Sequence, residues 1–233
     1  MKKAILFDFG GTLDTDGIHW SEKFYEVYQD FNINIPKEIM REVFVFAERK
    51  AAENVQINFT LKQTLRIKFK YQIEFLQNNS MLSKTDNINL DELTEYCYND
   101  VLEKIKIAKN LLDDLSQDYL LGLVSNYYGN LDTILEELSL KKYFSSVIDS
   151  AVVKIRKPDP QIFQLILDKL GVSPTEAIVI GDDYDNDIIP SKYLGCYTIW
   201  LKGKGWSNPI EVKNADSIIT TIKEIPDIIN KII

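Results

Sequence analysis

An α/β fold, with a parallel sheet flanked by helices and an all-helical unit inserted after its first strand, is predicted by three observations. A short apolar run opens the chain and stops at Asp8 and a pair of glycines; four more such runs alternate with helical patterns in the second half; and the long stretch between carries no strand signal. The 233 residues, 45% hydrophobic and 11% aromatic, suffice for a packed core in one large or two modest domains. With 35 acidic against 27 basic residues the net charge is -8, which disfavours non-specific attraction to nucleic acid or to an anionic membrane. An anionic ligand therefore needs a locally positive pocket. Cys97 and Cys196 stand far apart in apolar contexts and read as reduced core thiols, which makes the cytoplasm the expected compartment. Met1-Lys2-Lys3 looks like the start of a signal peptide, but Asp8 and Gly10-Gly11 break the apolar stretch too early, and no run reaches membrane-spanning length.

The elements follow in chain order. Ala4 to Phe7 has the composition of a fully covered parallel strand, and Asp8 falls at its carboxyl end, the edge where open parallel sheets bind ligands. From roughly 17 to 105 the pattern is helix after helix. The first carries Trp20, Phe24, Val27, Tyr28 and Phe31 on one stripe, and Pro36 suits the first turn of a second with Ile39, Met40, Val43, Phe44 and Ala47. Asn78-Asn79-Ser80 and Ser83 to Asn89 read as polar loops, and Asn110 to Leu115 closes a long helix. Strands are then expected at Leu120 to Val124, Val147 to Ile148, Ala177 to Ile180 and Tyr197 to Leu201, with helices at Asn130 to Leu138 and Pro160 to Leu170 between them. The domain division expected is 1–16 with 105–233 as the core, and 17–104 as the inserted unit.

Four short segments carry the chemistry, each at the carboxyl end of a predicted strand. The first is Asp8-Phe9-Gly10-Gly11-Thr12-Leu13-Asp14. Second comes Val124-Ser125-Asn126, where a lone serine reads equally well as a helix cap. Lys157-Pro158-Asp159-Pro160-Gln161-Ile162-Phe163 is the third, its lysine a point charge able to offset charge on an oxyanion, with Arg156 and Lys154 adding positive charge nearby. The last, Gly181-Asp182-Asp183-Tyr184-Asp185-Asn186-Asp187, clusters carboxylates that need a cation, and magnesium fits best. A calcium loop is excluded, because Ile188 and Leu194 stand where glycine and glutamate are required. Lys202-Gly203-Lys204-Gly205-Trp206 lacks the spacing of a phosphate loop.

In that order the four segments resemble the motifs of the haloacid dehalogenase superfamily, in the forms DxDGT, strand-terminal Ser or Thr, KPDPxxF and GDxxxxD. The resemblance implies a Rossmann-like core with a helical cap at 17–104, and a magnesium-dependent phosphatase acting on a small phosphorylated metabolite. It also implies the roles. Asp8 is the nucleophile that becomes an aspartyl-phosphate; Ser125 and Lys157 assist it; Gly11, Thr12, Ser125, Asn126 and Lys157 bind the substrate. Magnesium is held by Asp8, Asp182 and the main-chain carbonyl of Gly10, with Asp187 or Asp183 in the outer coordination shell. Where the family often has glycine, this chain has Lys154.

One position departs from the phosphatase pattern. The second aspartate of motif I, the family's general acid and base, is Gly10, and its loss costs about 10²–10⁴ in rate. Three readings follow. A phosphohydrolase acting on a good leaving group, or with a substitute acid among Asp14, Asp16 and His19, ranks first; a homologue binding a phosphorylated ligand or protein without turnover ranks second; a dehalogenase or a phosphonatase ranks third. The third fits less well, since dehalogenases usually place tyrosine at this position and phosphonatases alanine with a cap lysine, for which Lys50, Lys62, Lys68 and Lys70 are available. Cap aromatics including Trp20, Phe44, Phe46 and Phe59 are expected in the core, and no nucleic acid or membrane partner is expected. Monomer and dimer both fit.

Overall fold

The computed structural model describes residues 2–83, 88–206 and 212–232. Strand β1 (Ala4–Phe7) is fully buried and lies at the middle of a six-stranded parallel sheet of order β3-β2-β1-β4-β5-β6. The others are β2 (Leu120–Ser125), β3 (Ser146–Asp149), β4 (Ala177–Gly181), β5 (Tyr197–Leu201) and β6 (Ser217–Ile219). Side-chain alternation gives β1 two different faces. Ile5 and Phe7 enter one apolar cluster, Ala4 and Leu6 the other, so helices must cover both sides. Gly122 of β2 is required by packing: a Cβ there would collide with Leu6 and with Ile166 of α7 (Gln161–Leu170).

The chain order changes direction between β1 and β4, because β2 and β3 build outward on one side and β4 to β6 on the other. A crevice opens at such a switch point, above the carboxyl ends of the strands. Asp8 and Asp182 follow directly on β1 and β4, and Phe7 pairs with Ile180 in register, so the two carboxylates start from adjacent strand ends.

The inserted segment consists of α1 (Trp20–Asp30), α2 (Met40–Asn54), α3 (Leu61–Asn78) and α4 (Leu90–Leu115). A reciprocal capping box between Thr60 and Gln63 starts α3, and Asn89 caps the first turn of α4. Pro36 precedes a short turn, Lys37–Ile39, rather than opening α2 directly. Of the polar loop expected from Ser83 to Asn89, residues 84–87 lie outside the described residues. Lys104, the expected edge of the insertion, falls inside α4, which runs unbroken for 26 residues. Its stripe of Cys97, Val101, Ile105, Ala108 and Leu112 belongs to one cluster with Ile5 and Phe7 of the sheet and Phe24 of α1. Continuous apolar spacing at i, i+4 and i+7 leaves no point at which that helix has reason to stop.

Several short elements were not legible from apolar runs. Strand β6 has three residues, with Ile218 about half exposed, too short and one-sided for a recognisable run. Short α6 (Ser150–Val153) and α8 (Ile189–Leu194), and the carboxyl-terminal α9 (Ile225–Ile232), complete the core. Lys154, just after α6, adopts φ +60°, a left-handed conformation that glycine takes more readily.

Candidate active site

Lys157 is the centre of the site. Its Nζ donates to Asp8 Oδ1 at 2.6 Å, to Asp187 Oδ1 at 2.6 Å and to the carbonyl of Val124 at 3.2 Å, with only 4% of the residue exposed. Burial by itself would lower the pKa of this ammonium, but the charges of Asp187 and Asp8 outweigh burial and raise it, so Lys157 stays charged. Its backbone is clamped as well: Lys157 N donates to Asn126 Oδ1 at 2.9 Å and Asn126 Nδ2 donates to Lys157 O at 3.0 Å. Asn126 thus joins the end of β2 to the lysine loop. Ser125 Oγ donates to Asp8 Oδ1 at 3.2 Å, which leaves Asp8 Oδ2 with one long contact, Thr12 Oγ1 at 3.4 Å.

Thr12 joins the first motif to the fourth. Its hydroxyl lies 3.1 Å from Asp182 Oδ1 and accepts from Asp182 N at 3.1 Å. Gly11 has φ +102°, and a Cβ on it would overlap the Asp182 carboxylate, so both conformation and space demand glycine there. At Gly181 space alone demands glycine, because a Cβ there would overlap the Asp187 side chain.

Asp8, Asp182 and Asp187 bring carboxylate oxygens within 4.8 Å of one another. Burial, followed by the charges of its carboxylate neighbours, raises the pKa of Asp182; burial likewise raises that of Asp187 against the opposing pull of Lys157. One ammonium does not balance three carboxylates. The donor set, hard oxygens only and short of positive charge, fits magnesium. Asp187 stands within this trio and accepts from Lys157. Asp183 instead caps its own turn, its Oδ1 accepting from Asp185 N and Asn186 N.

Gly10 does not face an empty space. A Cβ there would lie 3.5 Å from Nε1 of Trp20, whose indole donates to Asp14 Oδ2 at 2.9 Å. The three candidate substitutes for the missing acid separate clearly. Asp16 binds Thr221 Oγ1 at 2.9 Å and Ile222 N at 2.8 Å, capping a turn of the core, which removes it from the set. Asp14 is fully buried, accepts from Gly11 N at 2.7 Å as well as from Trp20, and has its pKa pushed up to about 7 by burial. It supports the nucleophile turn from behind. His19 lines the cavity, its Nδ1 held by Ser21 Oγ at 2.8 Å; burial lowers its pKa, so the ring is neutral near pH 7.

A cavity of about 560 Å³ lies over these groups, open to solvent and walled on one side by the helical insertion. Trp20, Phe44 and Trp206 form its apolar wall; Trp20 belongs to the main core cluster and Phe44 packs against that cluster, as expected, and both also edge the cavity, while Phe46 packs on Phe75. Lys68 also lines it: its Nζ pairs with Glu48 at 2.8 Å and lies 5.1 Å from the ring centre of Tyr128. Lys50 and Lys62 pair with Glu53 and Glu95 on the surface, and Lys70 lies over Tyr71. The sequence signal that would have found the cavity face of α2 is a second stripe, 41, 44, 45, 48 and 49, set beside the buried stripe 40, 43, 47 and 51.

The carboxylates make stability depend on pH with a definite sign. Asp14, Asp182 and Asp187 all have folded pKa values above the ordinary carboxylate value, so the folded state holds more protons than the unfolded one above about pH 4. Metal-free stability should therefore fall as pH rises from about 5 to 7.5, Asp14 alone contributing up to about 3 kcal/mol. Urea denaturation in a chelator tests this; Asp14→Asn should flatten the slope, and added magnesium should remove the part due to Asp182 and Asp187.

Comparisons with known proteins bear on the family and the fold. The chain is 32% identical over 127 residues to a glyceraldehyde 3-phosphate phosphatase of Pyrococcus furiosus, a match covering 53% of this chain and 52% of that one. The chain spans about half the length of the curated relatives it matches. Among solved structures, the magnesium-bound HAD-hydrolase YfnB of Bacillus subtilis superposes with TM-score 0.60 at 18% identity, covering 98% of this chain and 99% of that one. L-2-haloacid dehalogenase of Xanthobacter autotrophicus does so with TM-score 0.63 at 14% identity over the whole of both chains. At such identities these two define the fold only. A family model for haloacid dehalogenase-like hydrolases matches residues 2–195, and with the four motifs assembled at one sheet edge the chain belongs to the haloacid dehalogenase-like hydrolase family.

Proposed function

We propose that the protein is a magnesium-dependent phosphatase of small phosphorylated metabolites, working through an aspartyl-phosphate on Asp8 with weakened general-acid assistance. The observation that carries this reading is the Lys157 bridge between Asp8 and Asp187 with Asp182 alongside, since it combines a positioned nucleophile, a fixed positive charge and an undercompensated set of hard oxygen ligands. A dehalogenase displacing halide from carbon has no need of that third feature. Asp8, Asp182 and the main-chain carbonyl of Gly10 would hold the ion, which when bound offsets charge between nucleophile and phosphoryl oxygens.

Asp8 attacks phosphorus while Lys157 and Ser125, both already hydrogen-bonded to Asp8 Oδ1, hold its carboxylate in a fixed orientation. As the ester oxygen leaves, negative charge on the phosphoryl group meets the Lys157 ammonium and the Ser125 hydroxyl. Water then attacks the acyl phosphate and regenerates the carboxylate. With Gly10 beside the indole of Trp20, no carboxylic acid protonates the leaving oxygen, so aryl and acyl phosphates are the favoured substrates. Neutral His19, its Nδ1 accepting from Ser21 N, keeps its proton on Nε2 and offers the cavity a hydrogen-bond donor rather than a base. The same Trp20–Gly10 contact favours a second reading, a homologue that binds phosphorylated ligands without turnover.

Magnesium binding should need Asp8 and Asp182 together, because neither carboxylate alone overcomes the ion's reluctance to dehydrate. In calorimetric titration, Asp182→Ala should weaken magnesium affinity by at least about tenfold, the loss of one charged ligand. Unchanged affinity would reduce motif IV to an acidic loop. Turnover of p-nitrophenyl phosphate with magnesium separates the phosphatase from the non-catalytic homologue.

A further inference from the structure

The chain has four arginines, and three of them, Arg41, Arg49 and Arg156, line the cavity over the active site. The fourth, Arg66, pairs with Asp91 on the outer surface. For a protein of net charge -8 this is a selective placement: the remaining basic residues are lysines, and most lysine ion pairs lie on the exterior. None of the three cavity arginines makes an ion pair among the described residues. The nearest acid on the cap side, Glu48, is engaged by Lys68 Nζ and by the Tyr128 hydroxyl. On the core side Asp8 and Asp187 are taken up by Lys157 and the Asp183 carboxylate caps its turn, while Asp182 and the exposed Asp185 also line the cavity.

Their arrangement is directional. Arg41 and Arg49 stand two helical turns apart on one face of α2, about 12 Å along the axis, with Val45 between them. Arg41 is held in place by its guanidinium, 4.8 Å from the ring centre of Trp206. Arg156 precedes Lys157 on the core side, so the opposing walls of the cavity both offer guanidinium groups. Guanidinium groups grip planar or tetrahedral oxyanions through paired N–H donors, which lysine does not do. The cavity also exceeds what a single phosphoryl group fills, and its volume lies in the range that holds a whole small ligand.

The geometry points to a second anion subsite, formed by Arg41, Arg49 and Arg156, which selects phosphate esters that carry a further carboxylate or phosphate away from the reacting phosphorus. This inference rests on the phosphatase reading only for the location of the reacting group. Asp8 and the metal-ready carboxylates take the phosphoryl group, and the guanidinium groups on the two facing walls take the remote anion. Neutral phosphate esters of equal size occupy the first end and leave three guanidinium groups without partners.

Calorimetry on the full chain with magnesium tests the subsite without requiring turnover, using hexylphosphonate, phosphonohexanoate and hexane bisphosphonate as probes. Both doubly anionic probes should bind about ten- to a hundredfold more tightly than hexylphosphonate, the range for one or two charge-assisted contacts. The stronger of the two identifies the remote group as carboxylate or phosphate. Arg49→Gln and Arg156→Gln, at exposed positions where folding is least at risk, should each cut that preference severalfold, and the triple Gln variant should abolish it; Arg→Lys at the same sites should restore part of it. Equal affinity for all three probes, no binding of any, or an equal loss for hexylphosphonate in the variants overturns the subsite. Preference for the doubly anionic probes without hydrolysis of p-nitrophenyl phosphate would sink the phosphatase reading and leave the subsite standing; hydrolysis without preference would do the reverse.

Discussion

An Asp8→Asn chain should fold, bind its phosphate ester and release almost no product, with kcat for p-nitrophenyl phosphate falling by at least about 10⁴-fold. The amide cannot attack phosphorus, and the covalent route has no second nucleophile: the other buried carboxylates beside Lys157 and Thr12 belong to the metal-ready trio. Stability should hardly suffer, because Lys157 keeps Asp187 as partner and the repulsion that Asp8 exerts on Asp182 is relieved. A urea midpoint within about 1 kcal/mol of the parent chain would separate lost chemistry from lost fold. Residual activity above about one part in a hundred would place the nucleophile elsewhere.

The second large effect is a gain. Gly10→Asp should raise the alkyl-to-aryl ratio of kcat/KM by about one to three decades, since alkyl leaving groups most need a proton donor. The structure admits the substitution: a Cβ at residue 10 makes ordinary contacts with Trp20 at 3.5 and 3.6 Å. It also predicts a complication. The new carboxylate would stand beside Trp20 Nε1, which already donates to Asp14, and would compete for that N–H. Adding Trp20→Phe to Gly10→Asp should therefore increase the gain, because a carboxyl group freed from the indole is free to reach the leaving oxygen. A flat ratio in a well-folded variant with intact magnesium affinity would mean that Gly10 is not simply a missing acid.

Much of this site was legible because its chemistry is local in sequence. A strand followed by Asp8, a strand followed by Ser125 and a strand followed by Asp182 place themselves at one edge once the sheet is parallel, and Lys157 joins them through a loop clamped by Asn126. What stayed hidden depends on tertiary packing. Nothing in the spacing distinguishes Asp16, committed to a turn two hundred residues away, from His19, which lines the cavity. Trp20 reads as a core residue, and it is 7% exposed, yet its indole edge fills the space beside Gly10. The arginines of α2 look like solvated charges until the helix is laid over the strand ends with that face inward.

The uninterrupted course of α4 bears on how such proteins can be recombined. A chimera made by exchanging residues 17–104 with the corresponding piece of a relative would splice two sequences in the middle of a helix. It would also divide the stripe of Val101, Ile105, Ala108 and Leu112, which contributes to a single apolar cluster reaching from the sheet into the insertion. The downstream junction that keeps this stripe native is the turn after Leu115, so the transplantable cassette is the four-helix set with all of α4. The upstream junction has its own constraint: Gly17 has φ +88° and a Cβ on it would press on Leu201 at 3.2 Å, a Cβ on Gly203 would overlap the Gly17 backbone, and Ile18 pairs with Lys204. A donor segment must therefore bring a glycine to position 17, and the loop it meets must keep Gly203.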